Sequence, residues 1–534
     1  MTTEPRAFAT VDLGAATVSV ALIGKLDRSW RLIGSCALPS AAGADGAVAS
    51  LVERLRRADP DLLDRLGVGG PDAGDLVRVE ARSANARTLA IVAATERSLA
   101  PLVAAAQRSG WRTVAASAQT TDPLTMTRML LDGATDAILA GATDPPAADE
   151  RSALGELAAL VAAVATRRPD RLIVLAGGMA ERQSEFGDST KRAGETVLAP
   201  AAGTGPAGNP LRGLLLELAG PSTDARRALG AAAAAIADVT DRRVELVEIG
   251  FDGATRAIAH PATANGPALL DLAVVPGAGL APADPDDDVV DRVLAWSTVA
   301  SDRHRLRDRL RELRIAPWAD ASGDGLDLRV AAAHASLARI LEATPDMGAH
   351  GVPDLVVAAG GVWSAMPPSL VALTLADVIR RPGASQLVMD GAALLAPLGG
   401  IPEARERRAV IADLLDDLLV PLGTLVMPAG LRAGRPAGHV VVHATASAAS
   451  TDLGSGDLAL VPLDPGCGAI ADFHFRDAVR LGGRGRGFAL DVAGGLAGLL
   501  VDLRDVPMRL PDRADTRREL LRSWQATVRP RSHP

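Results

Sequence analysis

Residues 9–24 place an aspartate inside an apolar strand-turn-strand pattern, Ala-Thr-Val-Asp-Leu-Gly-Ala-Ala-Thr-Val-Ser-Val-Ala-Leu-Ile-Gly. Burying an unpaired carboxylate is costly, so we expect Asp12 to be held by a metal-water shell, a phosphate-bound cation or local hydrogen bonds. Gly14 supplies a turn, and small residues follow it. Such a loop brings backbone N–H groups against a phosphate while the aspartate faces its cation. The pattern therefore predicts a phosphate-binding hairpin.

Composition narrows the class of protein. At 534 residues the chain fits two or three domains. Its net charge of −8 gives no general affinity for nucleic acid, so we predict no nucleic-acid partner. Cys36 and Cys467 are too few for a disulfide framework, which favours a reducing compartment. The N-terminus lacks a signal-peptide pattern and the apolar runs are too short for a membrane span. We therefore expect a cytoplasmic protein without a membrane partner.

Short apolar strands alternate with helix-length segments from residue 88 to about residue 200. This alternation is typical of a doubly wound parallel sheet. The predicted strands are Thr88–Ala94, Thr113–Ala118, Asp136–Ala142 and Arg171–Ala176, with helical stretches such as Leu99–Ser109 and Ser152–Thr166. The region Ala199–Pro210, rich in Gly, Pro and Ala, predicts a linker or a loop at a lobe boundary.

Two later segments resemble the opening hairpin in their design. Val244–His260 is a second strand-turn-strand unit with an acid and a glycine followed by Ala-Thr, and Asp354–Ser364 is a buried strand that ends in Gly360-Gly361. The ordered set of three glycine-bearing strand ends indicates a nucleotide cleft between two similar lobes. A Walker A loop is excluded because Gly24-Lys25 is followed by leucine rather than by a hydroxyl residue.

After about residue 433 the pattern changes to short strands separated by glycine turns, which predicts a β-rich C-terminal domain. The predicted domains are residues 1–235, an N-terminal lobe that includes the α/β segment; residues 236–433, a second lobe; and residues 434–534, the β-rich domain.

The chain resembles the glutamate mutase L (MutL-type) family, which consists of accessory proteins of adenosylcobalamin-dependent mutases. The resemblance covers most of the chain in order. It is carried by the stretches Thr10–Ser19, Leu89–Val92, Asp136–Asp144, Asp354–Ser364, Val388–Gly400, Pro421–Thr424 and Gly485–Pro507, followed by Pro511 and Trp524.

The resemblance implies a two-lobed actin/Hsp70-like (ribonuclease H-like) ATPase fold with ATP or ADP and Mg²⁺ between the lobes. It implies a reactivating, chaperone-like role toward an adenosylcobalamin-dependent mutase as partner. Asp12 would orient Mg²⁺ through water, and Glu248 would be its catalytic counterpart. The nucleotide contacts would come from Gly14, Thr17, Gly250, Gly253, Thr255, Gly360 and Gly361.

The chain departs from the family pattern in its phosphate loops. The family's first loop typically runs Asp-x-Gly-Ser-Thr-x-Thr-Lys, whereas this chain has Ala15, Ala16, Val18 and Ser19, so that Thr17 is the nearest hydroxyl. In the second loop Glu248 stands where aspartate is typical, with Asp252 as a second acid after a register shift. Hydrolysis demands more accurate acid placement than binding. Three functions therefore stay open: a nucleotide-binding factor with at most weak ATPase activity, a nucleotide-free scaffold, and a small-molecule kinase of the same fold.

Overall fold

A computed structural model describes most of the 534-residue chain. The described residues are 6–68, 76–186, 196–202, 210–263, 266–318, 322–431, 434–444, 447–506 and 508–529. Of the predicted linker Ala199–Pro210, residues 203–209 lie outside the described part.

The strands are numbered in chain order. They are β1 Ala7–Leu13, β2 Thr17–Leu26, β3 Ser29–Pro39, β4 Val77–Arg82, β5 Thr88–Ala93, β6 Arg112–Ser117, β7 Ala137–Gly141, β8 Leu172–Ala176, β9 Thr196–Ala199, β10 Val244–Ile249, β11 Gly253–His260, β12 Leu269–Pro276, β13 Leu355–Ala359, β14 Gly383–Asp390, β15 Leu419–Met427, β16 Pro436–Ala444, β17 Ser447–Gly454, β18 Leu458–Val461, β19 Gly468–Leu481, β20 Gly483–Ala493 and β21 Leu499–Asp502.

The α-helices are numbered in the same way. They are α1 Gly43–Ala58, α2 Pro60–Arg65, α3 Glu96–Gln107, α4 Pro123–Leu131, α5 Ala148–Arg167, α6 Pro210–Leu218, α7 Asp224–Thr240, α8 Asp287–Trp296, α9 Arg303–Ile315, α10 Gly323–Ala343, α11 Gly361–Ser364, α12 Pro368–Ile379, α13 Leu395–Gly399, α14 Ala404–Leu418 and α15 Ala514–Val528.

The first lobe, lobe 1, is built on a four-stranded sheet in the order β3-β2-β1-β4. The pairs β1–β2 and β2–β3 are antiparallel, and β4 runs parallel to β1. The apolar side chains of β1 and β2, among them Val11 and Val20, pack against α1 and α2, for example against Leu51 of α1. The short loop between β1 and β2 thus stands at one edge of a firmly packed sheet.

The second lobe, lobe 2, repeats this arrangement at the start of an eight-stranded sheet, β12-β11-β10-β13-β14-β15-β21-β18. Strands β10, β11 and β12 form an antiparallel meander, and β13 runs parallel to β10. Two sheets that share the order 3-2-1-4, with the same strand directions, define the two-lobed actin/Hsp70-like fold. The predicted fold class is therefore confirmed by the strand order itself.

The α/β segment forms a separate five-stranded sheet in the order β6-β5-β7-β8-β9. All four of its strand pairs are parallel. Helices cover both faces of the sheet, as predicted for a doubly wound segment. The segment contacts the edge strand of lobe 2, because Gly110 N–H donates to the carbonyl oxygen of Val274 in β12 at 3.0 Å.

The C-terminal region is rich in strands, as predicted. Strands β17, β16, β19 and β20 form an antiparallel sheet of their own. Strands β18 and β21 instead extend the sheet of lobe 2 beyond β15. This region is therefore joined to lobe 2 by backbone hydrogen bonds as well as by side-chain packing.

Helices α7 and α13 cross each other next to the boundary between the lobes. Both helices also contact β4 of lobe 1. Gly399 makes the crossing possible, because an added Cβ would lie 1.9 Å from the carbonyl oxygen of Ala228. The predicted domain boundary between residues 235 and 236 lies inside α7.

None of the helices within the described ranges is long and apolar enough to cross a lipid bilayer.

Candidate functional site

Each lobe presents a loop closed by the same backbone hydrogen bond. In the first loop, residues 12–17, Gly14 N–H donates to the carbonyl oxygen of Thr17 at 2.9 Å. In the second loop, residues 248–253, Gly250 N–H donates to the carbonyl oxygen of Gly253 at 3.0 Å. The two loops are therefore structural equivalents.

The equivalence extends to the acids. Asp12 lies opposite Ser19 across the first hairpin, and Glu248 lies opposite Thr255 across the second. Both acids stand two residues before the glycine that begins the turn. Glu248, rather than Asp252, therefore occupies the position equivalent to Asp12.

The two loops face a single cleft between the lobes. It encloses about 760 Å³ of empty space including its open mouth. Seven of the nine predicted site residues line it, namely Asp12, Gly14, Thr17, Glu248, Gly250, Gly360 and Gly361. Gly253 and Thr255 stand behind this lining, where they shape the second hairpin.

Glu248 is held in a fixed position at the base of the second loop. Its side chain is almost fully buried, and the Thr255 hydroxyl donates to its Oε2 at 2.9 Å. Burial raises the pKa of Glu248, while the Arg226 guanidinium and the Thr255 hydrogen bond oppose that rise. Thr255 thus orients the carboxylate.

Asp12 lies at the base of the first loop with its carboxylate toward the cleft. Burial, together with the neighbouring carboxylates of Glu248 and Asp390, raises its pKa to about 7. A bound cation would relieve all of these effects, because it favours the ionised carboxylate. The position therefore suits a residue that binds a hydrated divalent cation.

Asp390 is a third acid at the cleft. It ends β14, and its carboxylate accepts the N–H groups of Leu394 at 2.9 Å and Leu395 at 3.0 Å at the start of α13. Burial raises the pKa of Asp390 to about 6 even though these N–H groups lower it. Among the described residues, no group of three or more histidine, cysteine or acidic side chains is arranged to hold a metal ion directly. A cation here would therefore be bound largely through water.

Gly360 and Gly361 bring the end of β13 against both loops. Gly360 has a φ of +102°, and an added Cβ would lie 2.4 Å from the carbonyl oxygen of Ile249. A Cβ on Gly361 would lie 3.4 Å from Thr17 Oγ1, across the cleft. Both positions favour glycine, Gly360 for its backbone conformation and Gly361 because a side chain would enter the cleft.

Asp252 is already engaged by the protein. Arg314 of α9 donates to Asp252 Oδ1 at 2.5 Å and to Oδ2 at 3.2 Å, and also to the carbonyl oxygen of Ala281. This two-pronged ion pair fixes the tip of the second loop against α9. The acid that this loop offers to the cleft is therefore Glu248.

Among the cleft residues that were not predicted from the sequence, two are charged, Arg226 and Asp390. The sequence does contain a pattern that could have identified Asp390, because this residue ends an apolar strand, much as Asp12 does. No sequence pattern identifies Arg226, because it belongs to no motif and reaches the cleft only through the placement of α7.

Comparisons with known proteins give weak likenesses. No family model matches the chain, and no curated protein does. A nucleotide-free structure of acetone carboxylase, from a study of ATP-dependent acetone carboxylation, is 10% identical, with a TM-score of 0.31, and the match covers 83% of this chain and 80% of that one. Component A of (R)-2-hydroxyglutaryl-CoA dehydratase from Acidaminococcus fermentans is 8% identical, with a TM-score of 0.25, and the match covers 75% of this chain and 98% of that one.

A ROK family glucokinase from Streptomyces griseus, in complex with glucose and AMPPNP, is 10% identical, with a TM-score of 0.25, and the match covers 75% of this chain and 99% of that one. Likenesses this weak establish no shared activity. The fold is assigned from the strand order described above.

Proposed function

We propose that the cleft binds ATP or ADP with Mg²⁺. The observation that carries this proposal is the pair of equivalent loops, each with a carboxylate at its base, that face each other across one cleft. Loops of this kind present backbone N–H groups to anions. Gly14 and Thr17 would contact the phosphates from lobe 1, and Gly250 from lobe 2, where Gly253 closes the second loop.

The remaining predicted residues have complementary roles in this proposal. Asp12 would hold hydrated Mg²⁺, which neutralises phosphate charge when bound. Glu248, oriented by Thr255 at 2.9 Å, would accept a hydrogen bond from a water molecule near the phosphates. Gly360 and Gly361 would let the adenosine approach the backbone. Because the first loop has only one hydroxyl side chain near its turn, we expect slow hydrolysis at most.

The position of the cleft between the lobes supports a role in conformational change. A ligand held by both loops would contact both lobes, so its binding and release would move them relative to each other. Such a movement would be transmitted to a partner protein. Following the sequence resemblance, we propose a cytoplasmic accessory or reactivating role for an adenosylcobalamin-dependent mutase. Recovery of a cobalamin enzyme with the tagged chain would support this partner, and repeated recovery of unrelated proteins would count against it.

A nucleotide-free scaffold is the second candidate function. It is favoured by Ala15, Ala16 and Ser19, which replace residues that hold phosphate in the resembling family. In this alternative the two lobes serve as a docking surface for a partner, and the cleft stays without nucleotide.

Calorimetric titration of the full chain with Mg-ATP and Mg-ADP separates the two functions. We expect saturable binding by the wild type and binding at least about tenfold weaker in Gly361→Val, whose side chain would enter the cleft. Gly348→Val is the matched control, because no atom lies within 4 Å of an added Cβ there. Absence of binding at millimolar nucleotide would rule out the nucleotide-binding proposal and leave the scaffold.

A further inference from the structure

Arg226 is a buried cation that faces the cleft. It lies in the first turn of α7, its side chain is 8% exposed, and it lines the cavity between the loops. Within the described part of the chain, its guanidinium makes no hydrogen bond. Its nearest acid is Glu248, which acts on it electrostatically.

The guanidinium lies against the second loop. A Cβ added at Gly253 would lie 2.7 Å from Arg226 Nη1 and 2.8 Å from Nη2. The glycine therefore leaves room for the planar head group beside the loop backbone. The neighbouring Arg227, in contrast, is exposed and stands 3.9 Å from Asp224 on the same helix.

The guanidinium faces the open cleft without a hydrogen-bond acceptor from the described part of the protein, so the oxygens of a ligand can accept from it. Its fork of N–H donors matches the oxygens of a phosphate group. The two loops contain no lysine or arginine of their own within residues 12–19 and 248–255. Arg226 is thus the basic side chain that reaches the cleft lining.

We propose that Arg226 supplies the cationic contact to the terminal phosphates of a nucleoside di- or triphosphate. This inference rests on the proposed nucleotide function, but it assigns the contact to a helix outside both loops. Ala228, two residues further along α7, packs against Gly399 of α13. Phosphate bound to Arg226 therefore acts directly on the helix crossing next to the boundary between the lobes.

The test compares Arg226→Met with Arg227→Met in the full chain, by calorimetry with Mg-ATP and with inorganic tripolyphosphate. Loss of a charge-assisted contact should weaken both ligands roughly 10- to 100-fold in Arg226→Met. Arg227→Met should bind within about twofold of the wild type, because that side chain points away from the cleft. Adenosine binding should be similar in all three proteins.

A purely structural role would act through Glu248, which Arg226 partly neutralises. Without Arg226, the Glu248 carboxylate would repel a bound phosphate. The double variant Arg226→Met/Glu248→Gln removes this repulsion, and we expect its tripolyphosphate binding to stay weak. Restored binding in the double variant would overturn the proposal. Should Arg226→Met fail to fold, Arg226→Gln removes the charge but keeps a polar side chain, and wild-type affinity for tripolyphosphate in that variant would equally overturn the proposal.

The outcomes also separate the two proposals. If the wild type binds tripolyphosphate but not Mg-ATP, and Arg226→Met loses that binding, the nucleotide proposal is wrong and the phosphate contact stands. If the wild type binds both and Arg226→Met matches it, only the role of Arg226 is wrong. If the wild type binds neither, both proposals are wrong.

Discussion

At the scale of residues, the cleft is defined by acids that the fold holds in an unfavourable environment. Asp12 and Asp390 both end apolar strands, and burial raises the pKa of each, to about 7 and about 6 respectively. Functional sites commonly retain such groups at a cost in stability. The acids of this cleft would therefore be relieved by a bound cation or a proton.

The replacement Asp12→Asn tests whether burial of the Asp12 carboxylate lowers the free energy of unfolding. The folded protein keeps Asp12 protonated up to about pH 7, whereas the unfolded chain ionises it near 3.8. The folded state therefore binds more protons between these values, and stability contributed by this group falls as the pH rises through them. We expect the gain in unfolding free energy from Asp12→Asn to be small at pH 4 and on the order of 4 kcal/mol at pH 8.

Urea denaturation at several pH values, without nucleotide, measures this effect. Asp512→Asn is the control, because Asp512 is exposed and its replacement should change little at any pH. A pH-independent difference between Asp12→Asn and the wild type would contradict the account of Asp12.

Some residues of the cleft can be predicted from the sequence, and others cannot. Asp12 and the glycines at 14, 250, 360 and 361 were predicted because each lies at the end of an apolar strand, which is a local pattern. Arg226 could not be predicted, since its meaning depends on α7 lying beside the second loop. A helix surface arginine and a cleft arginine look alike in sequence.

At the scale of elements, the crossing of α7 and α13 joins the two lobes. Gly399 and the backbone of Ala228 are in direct contact there. Helices come this close only where a side chain is missing. The crossing therefore has little room for repacking.

Gly399→Ala should weaken this crossing. Its Cβ would lie 1.9 Å from a backbone oxygen, so the helices have to move apart, and we expect a loss of about 3 kcal/mol of unfolding free energy. Gly213→Ala in α6 is the control, because nothing lies within 4 Å of its added Cβ. It should stabilise the protein by about 0.5–1 kcal/mol through helix propensity. Equal stability of the two variants in urea denaturation would show that the crossing is not tightly packed.

Pairing between strands that are close in sequence can be predicted, whereas pairing between distant strands cannot. The hairpins of both lobes follow from local strand-turn-strand patterns and were expected. The addition of β21 and β18 to the lobe 2 sheet was not, because β21 pairs with β15 only after a long connection and β18 pairs with β21. Such distant pairing leaves no signal in the spacing of residues.

At the scale of the whole molecule, the two lobes carry matching halves of one site. Lobe 1 contributes the first loop, lobe 2 contributes the second loop and Gly360-Gly361, and α7 adds Arg226 between them. A ligand that contacts all of these parts would hold the lobes together. Ligand-dependent closure is thus the expected behaviour of the chain.

Hydrogen–deuterium exchange of the full chain with and without Mg-ATP tests this account most directly. We predict slower exchange in three segments together, residues 12–17, 248–253 and 360–364, with little change in the C-terminal strands β19 and β20. Unchanged exchange in both loops at saturating nucleotide, or protection confined to another part of the chain, would contradict the assignment of the cleft as the nucleotide site.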